Sequence, residues 1–309
     1  MRRADARRQS PGAVGETRLY DSQSGDVMPD RPPYNRVTVM LAAGLLLSGI
    51  VALSQLLSRE PVPLLTRIQQ DGVLLVATRE GPSTYHEGAQ GPDGFEYALI
   101  AGFAKRLGVE VRFIFPPTLD DLLTTVTRGE VHMAGGGLTA TPTRRQRLRF
   151  SSPYDLVTEQ LIYRRGSQRP RALGDIAAGD LHVVGGSSHE ETLSRLRRRG
   201  YPALSWVPRY DAGVADLLAA LERGELRLTV VDSSEASLSR RIYKHAAVAL
   251  ELGEPQPIAW AFPPHQDASL RVAADAYLMD IEENGRLQRL RARYFGHSDR
   301  LNYGATREF

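Results

Sequence analysis

Short uninterrupted apolar runs alternate with stretches of helical periodicity from residue 64 onward. "VLLVAT" (73–78) is a buried strand, and "FEYALIAGFAKRLG" (95–108) places its apolar residues at helical spacing before a C-capping Gly108. "VEVRFIF" (109–115) is the next strand, a helix runs through Leu119, Leu122, Leu123 and Val126, and a strand at 131–135 leads into "GGGLTATPTRRQRLRFSSPY". Strand and helix alternating in this way predict an α/β fold. The last apolar segment, 269–296, reads as two helices broken at Asn284-Gly285.

The pattern repeats. "DLLTTVTRGEVHMAGG" from Asp121 and "DLLAALERGELRLTVV" from Asp216 share DLL, four residues, RGE and a strand. "GVLLVAT" (72–78) and "GDLHVVGGSS" (179–188) each open a unit with glycine and a strand. The pairs predict two similar α/β units. Ligands of open α/β sheets sit beyond the carboxyl ends of strands. Those ends, at Gly136-Gly137-Leu138-Thr139 and Val231-Asp232-Ser233, are therefore expected to meet across one cleft.

Upstream the pattern changes. Residues 1–36 are polar, carry seven arginines and read as a disordered arm; Val37 to Leu57 carries no charge. At about 1.5 Å per residue that run can cross a ~30 Å hydrocarbon core, as a cleaved signal or a retained anchor. Arginines on the arm favour a cytoplasmic N-terminus, placing the remainder outside the membrane.

Composition removes several function classes. Net charge is +3 with acidic residues interspersed among the basic ones, which argues against nucleic acid as a partner. There are no cysteines, so disulfides, thiol catalysis and Cys-ligated metals are excluded. No cofactor and no metal site is expected: histidines are scattered, and His189-Glu190-Glu191-Thr192-Leu193 lacks the second histidine of a zinc-protease helix. No Gly-x-Ser-x-Gly elbow accompanies the serines. The glycine run 135–137 is not a phosphate cradle, because no lysine follows it as a P-loop requires.

That run instead supplies small residues for close approach of a ligand, hydroxyls at Thr139 and Thr141, and Pro142 opening a short helix. Arg145, Arg147 and Arg149 read as a solvated helix face, whereas for Arg144 composition allows either a solvated position or one reaching the cleft. An arginine fork there would suit a carboxylate.

"GFEYALIAGFAKRLGVEV" (94–111) and "GLTATPTRRQRLRFSSPY" (137–154) resemble signatures of the family 3 periplasmic solute-binding proteins, over about Leu65 to Gly296. "QLIYRRGSQRPRALGDI" (160–176), "VVDSSEASLSRR" (230–241), "VALELGEPQPIAWAFP" (248–263) and "ARYFGHSDRLNYGATREF" (292–309) are similar to the sensor half of the membrane-bound lytic murein transglycosylase F family. The resemblance implies a two-lobed periplasmic-binding-protein-like clamp of type II, preceded by one transmembrane or signal helix. Lobe one would comprise 65–163 and 259–296 and lobe two 166–256, with crossings near Tyr163–Gly166 and Gln256–Trp260. By resemblance Arg144 grips a ligand α-carboxylate, assisted by Thr139, and Asp232 receives its ammonium. Gly186, Ser187 and Ser188 present helix-opening groups to anionic ligand oxygens, Gly137 lies at the pocket, and Tyr85 walls it in lobe one.

The ligand so implied is an amino acid or a muropeptide, bound in the periplasm by a membrane-attached sensor acting with peptidoglycan or a catalytic domain. No catalytic residue is assigned: residues 297–309 read as a tail toward a catalytic domain that does not follow in this sequence. Two alternatives remain open, a receptor for an amino-acid ABC transporter and an active transglycosylase continuing past residue 309.

Overall fold

The computed structural model describes residues 35–57 and 62–296. The expected arm up to residue 34 and the tail 297–309 lie outside the described residues. The chain divides into two compact units, Met1–Glu60 and Pro61–Phe309.

In the first unit, the uncharged run forms helix α1 (Arg36–Leu57, 22 residues), with Asn35 carbonyl oxygen accepting from the Thr38 and Val39 amides. Its side chains are described from Arg36 to Ile50 and at Ser54, and all of these are exposed. Among the described residues no helix is long and apolar enough to cross a membrane.

The second unit opens with α2 (Leu64–Asp71), which buries Leu64 and Ile68, one turn apart, and ends at Gly72. Then come β1 (Val73–Ala77), a hairpin of β2 (His86–Gly88) and β3 (Gly91–Asp93), α3 (Phe95–Leu107), β4 (Glu110–Ile114) and α4 (Leu119–Thr127). α4 starts where the Thr118 hydroxyl accepts from the Asp121 amide, an N-cap that satisfies one of the helix's free donors. β5 (Met133–Ala134), α5 (Pro142–Arg145) and β6 (Arg149–Phe150) complete this stretch. Next follow β7 (Asp155–Arg164), β8 (Leu181–Val184), α6 (Ser188–Arg199), β9 (Val207–Arg209), α7 (Val214–Arg223), β10 (Leu228–Asp232), α8 (Ser233–Ile242) and β11 (Ala246–Ile258). The chain returns through β12 (Ala261–Phe262) to α9 (Ser269–Glu283) and α10 (Arg286–Phe295), which part at Asn284 and Gly285.

These strands form two five-stranded sheets, β4-β1-β5-β12-β6 and β11-β7-β10-β8-β9. β1 lies parallel between β4 and β5, and β10 is buried along its whole length. Continuous apolar runs such as "VLLVA" and "LTVV" fit that position, since strands central in such sheets are covered on both faces. One core gathers Leu74, Val76, Leu99, Ile100, Phe103, Trp260, Tyr277 and Leu278; another, at the second sheet, gathers Leu161, Leu181, Val183, Leu193, Leu228 and Val230.

Expected boundaries of the first lobe need correction at one point. β7 belongs to the second sheet, antiparallel to β10 (Tyr163 opposite Leu228) and to β11 (Tyr163 opposite Ala247). The forward crossing therefore runs through Ser151–Tyr154, not through Tyr163–Gly166. Gly166 marks a turn after β7, and its breaker character resembles a domain junction when only the sequence is read. The return crossing passes Ala259 and Trp260. The two crossings brace each other: the Ser151 amide donates to the Trp260 carbonyl at 2.9 Å, and the Trp260 amide donates to Ser151 Oγ at 3.1 Å. Trp260 is fully buried and stacks on Tyr277, with ring centroids 6.2 Å apart.

Candidate functional site

β1, β5, β8 and β10 end toward one hollow. β5 runs out into the glycines, and their roles differ. A Cβ on Gly135 would lie 2.6 Å from Ile100 Cδ1 and 3.2 Å from Trp260 Cδ1, so this glycine faces the packed core, where a side chain would make Ile100 shift. Gly136 has Thr78 and Arg79 at ordinary contact distance. Only Gly137 lines the hollow, and its φ of 66° favours glycine whatever the space around it. Close approach of a ligand, expected of all three, therefore applies to Gly137 alone.

Beyond it, Thr141 caps α5, its Oγ accepting from the Arg144 amide at 3.2 Å, with Pro142 at the first helical position. That turn directs Arg144 inward, where it is 7% exposed, while Arg145, Arg147 and Arg149 are exposed. Arg144 Nη1 donates to the Thr139 carbonyl at 3.1 Å, and Nη2 donates to the Gly186 carbonyl at 3.4 Å. Burial lowers its pKa to about 10, against the pull of Glu191, so it is cationic at neutral pH. Arg79, just after β1, donates from Nη2 to the Gly136 carbonyl at 2.8 Å. Below the glycines Glu96 is buried, and the Tyr154 hydroxyl donates to it; burial raises its pKa to about 7.

From the second sheet, β8 ends at Val184 and is followed by Gly185 and Gly186, and Ser187 caps α6 by accepting from the Glu190 amide. The Gly186 amide donates to Glu190 Oε2 at 2.8 Å, so this expected anion-binding donor is engaged by the chain's own carboxylate. Ser188 Oγ accepts from the Thr139 hydroxyl at 3.1 Å, and the Thr141 hydroxyl donates to Glu191 Oε1 at 3.2 Å. Asp232, at the end of β10, is 8% exposed, with Oδ1 3.1 Å from His189 Nε2. Burial alone would lower the His189 pKa, but Asp232, Glu159 and Glu235 outweigh it and hold it at about 8. Burial, then the nearby Asp232 charge, raises the Glu235 pKa; Ser83 Oγ donates to Glu235 Oε1 at 3.3 Å.

The hollow so formed encloses about 330 Å³ including its mouth, and its walls include Arg79, Gly137, Thr139, Arg144, Ser187, Ser188, His189, Asp232 and Glu235. It brings together six of the eight residues expected from the sequence; Gly186 adjoins it through its bond to Arg144. Tyr85 does not line it. Its ring packs instead against Tyr97, Phe113 and Phe115, with centroids 5.7, 5.3 and 4.9 Å away, and its hydroxyl donates to Glu87. A second hollow of about 520 Å³ adjoins the first, sharing Arg79, Val214 and Glu235 and adding Leu218, Leu238, Ile242 and Tyr243.

Sequence reasoning missed Arg79, His189, Glu159 and Glu235. Arg79 obeys the same strand-end rule as Asp232 and was accessible in principle. His189 meets Asp232 across 43 residues, and no local motif announces such a pair. Asp120, Asp121, Glu282 and Glu283 are exposed on helices and contribute nothing here.

Residues 74–297 match the family described as bacterial extracellular solute-binding proteins, family 3. The chain is 37% identical over 256 residues to the membrane-bound lytic murein transglycosylase F of Saccharophagus degradans, a match covering 83% of this chain and 51% of that protein. It thus spans about half the length of that relative. Its fold is similar to that of a mutant of ArgBP from T. maritima, with a TM-score of 0.67, 23% identity, and coverage of 75% of this chain and 99% of that one. It is also similar to the amino acid ABC transporter substrate-binding protein AbpA from Streptococcus pneumoniae bound to L-arginine, with a TM-score of 0.65, 22% identity, and coverage of 74% and 97%. The chain belongs to the bacterial extracellular solute-binding proteins, family 3.

Proposed function

We propose that this solute-binding domain is the sensor of an envelope-attached, cell-wall-related protein and clamps an amino acid or muropeptide between two lobes. The observation that carries the reading is the placement of Arg144 and Asp232, two buried side chains of opposite charge on the walls of one hollow. Arg144 receives the ligand carboxylate with help from Thr139, and Asp232 receives its ammonium. A charge-assisted hydrogen bond contributes about 1.5–3 kcal/mol, enough for a few such contacts to shift a two-state clamp. The apolar neighbouring hollow gives a ligand larger than a free amino acid somewhere to continue.

The likeness to a murein transglycosylase supports peptidoglycan-derived ligands over bulk nutrients, and supports closure as a signal to a catalytic partner. The uncharged run 37–57 of the sequence, though no described helix meets the length and apolarity of a span, is the segment proposed to attach the chain to the membrane as signal or anchor, with the binding domain in the periplasm. Calorimetry on the full chain with free amino acids and muropeptides tests the reading. The expected outcome is saturable binding of at least one of them, weakened about 100-fold by Arg144→Ala, as for truncation of one partner of a buried charge pair. Undiminished affinity in that variant refutes the assigned role.

A further inference from the structure

Glu159 and Asp232 lie directly opposite each other on the antiparallel strands β7 and β10. Residues so paired hold their Cβ atoms about 4.5–5.5 Å apart, and like charges there are destabilising. Both are buried, Glu159 to 1% exposure, and neither of its carboxylate oxygens accepts a hydrogen bond of ordinary geometry. The Thr192 hydroxyl, which accepts from Arg195 Nη2 at 3.0 Å, keeps its own proton and is the one nearby neutral donor for Glu159, too few for a carboxylate with two buried oxygens. His189, on the first turns of α6, sits over the pair, and one donor atom from each of the three lies within 4.8 Å of the others. A buried carboxylate without a donor is costly unless a cation or a proton answers it.

We infer that Glu159, His189 and Asp232 form a binding site for a divalent transition cation of the zinc type, held at the interior strands β7 and β10 of the second sheet and entered from the hollow. Zinc binds both imidazole nitrogen and Asp or Glu oxygen and prefers four ligands, so these three donors would leave a further position for water or a ligand. Donors about 2.0–2.2 Å from one tetrahedral ion are roughly 3.3–3.6 Å apart; His189 and Asp232, 3.1 Å apart, are already near that spacing, and about an ångström of side-chain movement closes the triad on Glu159. His189 and Asp232 line the hollow, which supplies the entry path. The site shares Asp232 with the amino-acid reading, where a cation and an ammonium would compete for it, but goes beyond that reading; its test contains no amino acid, so zinc binding can fail while ligand binding stands.

The test is Zn²⁺ titration of the full chain by calorimetry, with melting temperature followed in parallel and zinc X-ray absorption on the loaded protein. Wild type should bind one equivalent tightly, with nitrogen and oxygen ligands, and melt higher with the metal. Glu159→Gln and His189→Gln should each weaken that equivalent by more than the roughly 10–100-fold that loss of an outer-sphere partner costs. Glu159→Gln carries a second signature: without metal it melts at or above wild type, because the opposed charges are gone, yet it loses the Zn²⁺-induced rise. Should His189→Gln fail to fold, Glu159→Gln decides alone. No saturable binding by wild type, or binding that Glu159→Gln leaves unchanged, overturns the site.

Discussion

The two walls of the hollow differ in how their charges are answered. On the first-sheet side, Arg144 and Arg79 donate to main-chain carbonyls of Thr139, Gly186 and Gly136. These are neutral acceptors, so each guanidinium keeps its full charge for an incoming anion. On the second-sheet side, Asp232 is answered by His189, while Glu159 has no donor of ordinary geometry. One wall is cationic and ready; the other is anionic and only partly neutralised. The contrast teaches that the same strand-end architecture can store charge in two ways, by lending it to backbone dipoles or by leaving it short of a partner.

The largest expected way to sharpen that contrast lies beneath the cationic wall. Glu96 has a folded pKa of about 7, raised by burial from an ordinary 4.5. Between those values the native state holds more protons than the unfolded chain, so stability falls as pH rises from about 4.5 through about 7 and levels off above it. Glu96→Gln should flatten this decline and raise stability at pH 8 by up to about 3 kcal/mol, read from urea unfolding across pH. An unaltered pH slope in the variant would show that Glu96 is ionised in the native state.

Next in size is the acidic wall. Asp232→Asn should weaken a ligand carrying a free ammonium by roughly 2 kcal/mol, about 30-fold, and leave an N-acylated version nearly unchanged. Equal losses for both ligands would move the ammonium contact elsewhere, and calorimetry distinguishes the two. At the small end, the combined change of Arg147 and Arg149 to alanine should alter affinity and stability by no more than about 1 kcal/mol, since both are exposed, whereas Arg145 also donates to the Ala140 carbonyl and lies over the Phe150 ring. A larger loss would mean that the cationic wall extends past Arg144.

Much of this was legible in the sequence because it is local. The helix 95–108, the strand at 73–78 and the helical break at Asn284-Gly285 follow from periodicity and caps, and the structure has α3, β1 and the α9–α10 junction there. Arg144 became distinguishable from its three neighbours only through the turn set by Thr141 and Pro142, which buries one arginine in four. What escaped is non-local. β7 sits in the second sheet because β10 and β11 flank it, and those pairings involve residues 65 or more positions away. Tyr85 was expected at the pocket, but three aromatic rings hold it elsewhere. The Glu159, His189 and Asp232 triad is drawn from three elements, and no spacing in one stretch could reveal it.

The bonds from Arg144 to the Gly186 carbonyl and from Thr139 to Ser188 join the two walls directly. A ligand that inserts between the walls exchanges these bonds for its own contacts, so their parting is part of its uptake. Where parting comes first, uptake monitored by stopped flow would speed up with concentration only until it meets the spontaneous opening rate, and plateau there. Removing the Thr139 hydroxyl would lift that plateau.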